Sequence, residues 1–102
     1  MNDKKILEVS KYKVELILPD ISRDLQYSKS NNINVYNETG LLLYNISDLL
    51  KAYSDKKGLQ YYEDMYFDIR KLDDERIYCV GFTNHCEIDL HYGYIYRIIN
   101  NR

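Results

Sequence analysis

Tryptophan is absent from this chain, and phenylalanine, cysteine and methionine occur twice each, glycine four times and proline once. So few glycines and prolines leave no linker and no low-complexity tract. No GxGxxG, P-loop, HExxH or GxSxG pattern occurs, so the sequence offers no enzyme motif. Long apolar runs are missing too. The opening "MNDKKILEVSKYKVELIL" is interrupted by charge throughout, which argues against a signal peptide or a membrane span. Without export, Cys79 and Cys86 are expected as free thiols in a reducing cytoplasm rather than as a structural disulfide.

What is present describes a soluble globular domain. The 102 residues fit one domain, 1–102, with 45% hydrophobic and 29% charged residues, unlike a disordered chain. Tyrosine stands out at 12 residues. Its ring buries while its hydroxyl stays wet, which suits half-covered strands and surfaces that meet partners. An AT-rich genome would enrich Asn, Lys, Ile and Tyr equally well. The net charge of -2 is unevenly spread: residues 60 to 90 hold eight acids against three bases. That field repels phosphate backbones and attracts basic surfaces, so a nucleic-acid partner is not expected.

Periodicity gives the architecture. In "KYKVELIL", Val14, Leu16 and Leu18 alternate with Lys13, Glu15 and Ile17 up to Pro19, a strand ended by a residue that cannot continue a ladder. "DISRDLQYSKSNN" (20 to 32) reads as a loop with a turn of helix at Ile21 to Leu25. "INVY", "NETG" and "LLLY" read as a hairpin. "NISDLLKAYSDKKG" is a helix: Asn45 caps it, Asp48 suits its positive end, Ile46, Leu49, Leu50 and Tyr53 form one stripe, and Gly58 ends it. Four period-two segments then follow with short turns. Met65, Phe67 and Ile69 are assigned inward, with Tyr66, Asp68 and Arg70 outward. The last segment is ambiguous, because Tyr94, Tyr96 and Ile98 alternate with Ile95, Arg97 and Ile99. The expected fold is α+β: an antiparallel sheet of five to seven strands, including a C-terminal four-strand meander, with one helix packed on one face.

Residues 78 to 93, "YCVGFTNHCEIDLHYG", hold both cysteines and both histidines. A turn at Thr83-Asn84 would pair 82 with 85 and 81 with 86. Cys79 and Cys86 then face one way, and His85, Glu87 and Asp89 the other, with His91 next in line. That split argues against a shared zinc site and against a Cys-His nucleophile, so neither metal nor cofactor is expected. Outward carboxylates remain a catalytic option, weakened by how common they are on a wet sheet face.

The outward set pairs aromatics with acids, as a docking surface for a basic protein requires. Tyr61, Tyr62, Glu63, Asp64, Tyr66, Asp68, Tyr78, Glu87 and Asp89 are the candidate partner-binding residues, with "YYEDMY" (61 to 66) the first choice of contact segment. The stretch "ISDLLKAYSDKKGLQYYEDMYFDIRKLDDERIYCVGF" resembles, in its capped helix, acidic loop and β-meander, the small acidic immunity proteins of bacterial polymorphic-toxin systems. The resemblance is one of style, with no diagnostic motif and no residue roles to transfer. It implies a cytoplasmic, non-enzymatic inhibitor of a basic toxin, such as a nuclease, and no cofactor. The alternative is a small-ligand-binding or hydrolytic domain using Asp68, His85 and Glu87. An RNA-binding sheet lacks the second helix and basic platform it would need. A homodimer through the tyrosine-rich face or the last strand is a further expectation.

Overall fold

The structure, a computed structural model, describes residues 3–18, 31–59 and 64–100. Strands β1 (Lys4–Val9), β2 (Tyr12–Ile17), β3 (Ile33–Tyr36) and β4 (Leu42–Asn45) form one antiparallel meander. Helix α1 (Ile46–Lys57) follows without a break. Strands β5 (Tyr66–Lys71), β6 (Arg76–Gly81), β7 (Asn84–Asp89) and β8 (Tyr94–Asn100) form a second meander. The fold is α+β and antiparallel, but with two sheets of four strands where a single sheet of five to seven was expected. Each meander has one apolar face, and the two cover each other around a shared core. Val14, Leu16, Ile33 and Val35 come from the first sheet, Ile69, Ile77, Cys79, Cys86 and Ile88 from the second, and Ile46 and Leu50 from the helix. β5 meets β1 and β2, and α1 contacts β4 and β8.

β1 went unread because its apolar positions are broken by charge and its turn lacks glycine. Ser10 takes the left-handed φ of 54° inside the two-residue connection between Val9 and Tyr12. The loop expected over 20 to 32 lies outside the described residues except for its last positions.

Helix α1 starts where the side chain of Asn45 accepts the backbone N–H of Ser47 at 2.9 Å. It ends where Gly58, at φ 66°, sends its N–H back to Asp55 and Ser54 carbonyls. Ile46, Leu49 and Leu50 are buried and Tyr53 packs against the core, so the stripe is the contact face. The Asn45 amide also donates to the Asn31 carbonyl and to Asn34 Oδ1. Asn45→Ala is therefore expected to lower stability by about 1–2 kcal/mol, the upper part of the range for a lost cap. Urea denaturation checks this, and an unchanged midpoint contradicts it.

Bulges on the two edge strands of the second sheet alter the inward and outward sets. In β5 the register steps between Tyr66 and Asp68, leaving Phe67 as the extra residue. Tyr66 and Ile69 are both buried, at 1% and 0% exposure, while Phe67 is 42% exposed. The outward assignment of Tyr66 and the inward assignment of Phe67 are both corrected. In β8 the register steps at Tyr96, so Ile95 is buried and Ile98 packs on the core. Neither alternating set of that strand is the inward one. A bulge lets two residues three apart share a face.

Candidate docking face

The outer face of β5 to β8 is a grid fixed by register. One row runs Asp68, Val80, His85, Ile99, and the next runs Arg70, Tyr78, Glu87, Arg97. A third holds Arg76, Asp89 and Tyr94. Asp68, Tyr78, Glu87 and Asp89 of the predicted docking residues are thus brought onto one surface. The turn between β6 and β7 is Phe82-Thr83, two positions from the expected register, so Cys79 lies opposite Cys86 and Val80 opposite His85. A slip of two preserves which face each side chain takes. Both cysteines are buried in the core, and His85 lies on the opposite face with its ring 4.9 Å from that of Tyr78. Among the described residues, no three His, Cys, Asp or Glu side chains gather so as to hold a metal ion.

Asp64 has a different role from the one expected. It is 4% exposed, and its carboxylate accepts the backbone N–H groups of Met65, Phe82, Thr83 and Asn84 at 2.8 to 3.2 Å. The assignment of Asp64 and Tyr66 to a partner-binding surface is corrected on this ground: both side chains are enclosed. Tyr61, Tyr62 and Glu63 lie outside the described residues. The missed signal is Asp64 followed at residues 81 to 84 by "GFTN", a small residue and a polar turn that an acid can bind through main-chain donors.

The tied turn presents Phe82. Phe82 and Phe67, the only phenylalanines of the chain, pack ring to ring at 5.1 Å and are 50% and 42% exposed. The core beneath is aliphatic, with cysteine and Tyr66. Sequence reasoning placed Phe82 outward but gave the aromatic role to the tyrosines. It missed Phe67, because the bulge that exposes it has no local signature.

The grid is less acidic than the sequence count suggests. Asp68 accepts Lys5 Nζ at 2.6 Å and Arg70 Nε at 3.0 Å. Glu87 accepts the Tyr96 hydroxyl at 2.9 Å and lies 3.6 Å from Arg97. Burial and then the Glu87 hydrogen bond push the Tyr96 phenol up. The hydrogen bond from Lys5 does most to hold Asp68 below the ordinary carboxylate range; burial works against it, and Arg70 adds to the lowering. A carboxyl held ionised in this way is a poor general acid. Asp68 and Glu87 also stand in different rows, opposite Val80 and Tyr78, rather than facing each other. Negative charge concentrates instead at the β5–β6 turn. There Asp73, Asp74, Glu75 and Asp89 line a cleft of about 590 Å³ with Arg76. Arg76 draws Asp73 below its usual range through a 2.6 Å hydrogen bond.

Asp68 carries a pH prediction. Its folded-state pKa is depressed, so the folded chain binds fewer protons than the unfolded one as acid is added. The contribution is full above the ordinary carboxylate range, near pH 4, and is lost as pH falls through the depressed folded value. Asp68→Asn should therefore cost stability at pH 7 and progressively less toward pH 3. Denaturation of both proteins across that range checks it; a constant difference contradicts it.

A second open groove, of about 680 Å³, lies between the ends of the β1–β2 and β3–β4 hairpins. Glu15 on its floor would be raised by burial, but hydrogen bonds from Asn34 and Lys4 hold it below its usual value. Compared with models of known families, with curated proteins and with solved structures, the chain matches none.

Proposed function

We propose that this chain is a non-enzymatic protein-binding module, an inhibitor or immunity protein that covers a basic toxin such as a nuclease with the outer face of β5 to β8. The observation that carries the reading is the pair Phe67 and Phe82. Its only two phenylalanines lie together at the surface, Phe67 at the bulge of β5 and Phe82 on a turn pinned by a buried carboxylate. Phenylalanine is enriched at protein interfaces, where a few well-packed residues carry most of the binding energy and preorganisation lowers the cost of binding. The acidic β5–β6 turn supports a basic partner: Asp73, Asp74, Glu75 and Asp89 outnumber Lys71 and Arg76, which pair with Asp74 and Asp73. Net negative charge at an interface rim steers oppositely charged surfaces into contact. Asp74 and Glu75 are exposed there.

Binding to a basic protein toxin, taken from the neighbouring gene where one is encoded there, tests the proposal. Phe67→Ala combined with Phe82→Ala should weaken affinity by about 100-fold or more, with circular dichroism unchanged. Asp74→Lys with Glu75→Lys should slow association about tenfold at low salt and little at high salt. If the double alanine protein neutralises the toxin as well as the parent does, the docking face is elsewhere.

A further inference from the structure

Cys79 and Cys86 occupy one rung of the β6–β7 ladder, directly opposite each other. Both are fully buried and neither is in a disulfide. The Cys79 thiol is hydrogen-bonded to that of Cys86, and the Cys86 thiol donates to the Tyr66 hydroxyl at 3.8 Å. Directly opposed residues of antiparallel strands have Cα atoms about 4.5 or 5.5 Å apart, within the roughly 4.4–6.8 Å that a disulfide spans.

We propose that Cys79 and Cys86 are a latent cross-strand disulfide, a redox lock that clamps the β6–β7 hairpin when the chain meets an oxidised low-molecular-weight disulfide. One thiolate attacks the oxidant's S–S bond, forming a mixed disulfide and releasing one thiolate. The second cysteine then displaces the other half. Two protein S–H bonds are lost and one S–S bond forms; two electrons and two protons pass to the oxidant, which leaves as two thiols. The opposed geometry makes the second step intramolecular, so the mixed disulfide does not accumulate. Burial sets the rate. The hydrogen bond that the Cys79 thiol donates to Cys86 and then desolvation push the Cys79 thiol well up, and the attacking thiolate is scarce until the sheet opens. The lock is inert in the closed protein and is set by opening. It does not depend on the docking reading.

The full chain is incubated with glutathione disulfide, either in buffer or in urea near its unfolding midpoint, and its intact mass is followed. The expected product is lighter by two hydrogens and carries no glutathione, and it forms at least about tenfold more slowly in buffer than at the midpoint. Returned to buffer, the oxidised chain should regain the native circular dichroism and melt about 5 °C or more above the reduced chain. Cys79→Ser should give a single glutathione adduct and no lighter species. A parent product carrying one or two glutathiones, or an oxidised chain that melts below the reduced one, overturns the proposal.

Discussion

Replacing Asp64 with alanine should lower the unfolding free energy by about 3–5 kcal/mol, a large loss for a polar-to-apolar change. The carboxylate binds the N–H groups of Phe82, Thr83 and Asn84 from across the sheet and that of Met65 beside it. At 4% exposure, water does not readily take its place. The Phe82 N–H keeps the Met65 carbonyl at 3.2 Å, but each other donor left without an acceptor and shielded from water costs about 1–3 kcal/mol, with donors to a charged acceptor at the upper end. Asp64→Asn should cost less, about 2–3 kcal/mol, because one oxygen survives while an amide N–H₂ now faces backbone donors. Asp73 holds the β5–β6 turn, at the other end of β6, in a similar way, accepting Glu75 N–H and Arg76 Nε, but in the open. Water replaces it there, so Asp73→Ala should change little. Urea titrations of the three proteins decide the matter; equal costs at the buried and open positions would mean that enclosure is not what gives Asp64 its weight.

Gly81→Ala is expected to be nearly as damaging, about 3 kcal/mol. Glycine within a strand is ordinarily a weakness, and alanine would be favoured by roughly 0.5–1 kcal/mol through the unfolded chain. Here a Cβ would meet the Asp64 carboxylate, and the backbone carbonyl of Asn84 at 2.7 Å. Neither can retreat without breaking the turn, and overpacking of this kind costs typically 1–3 kcal/mol before any hydrogen bond is lost. Because the obstacle is largely the Asp64 side chain, the two substitutions should couple. The double variant should be more stable than the sum of the single effects by over about 1 kcal/mol. Strict additivity would show that the clash with Asn84 alone sets the cost.

These two residues show where sequence reading reached its limit. Asp64 sits among acids and tyrosines in "YYEDMY", and composition alone makes it a solvated charge. Its burial follows from the return of the chain 18 to 20 residues later, where the N–H groups of Phe82, Thr83 and Asn84 converge on it. The acidic character of the outer face was overstated for the same reason. Asp68 is compensated by Lys5, 63 positions away on the other sheet, so no local charge count contains the pair. Strand alternation failed at the bulges of β5 and β8. Both lie on sheet edges, where an extra residue breaks few ladder bonds and leaves no local mark in the pattern.

From sequence alone came the helix with both its ends, the four C-terminal strands, and the separation of thiols from imidazoles. Each rests on interactions between close neighbours or on a parity that survives a two-residue slip. Tertiary structure alone decided that the strands divide into two sheets, that Tyr66 turns inward and Phe67 outward, and that Asp64 anchors a turn. Those outcomes depend on which distant backbone donors and apolar faces remain to be satisfied once the chain has folded back on itself, a condition no short window of sequence records.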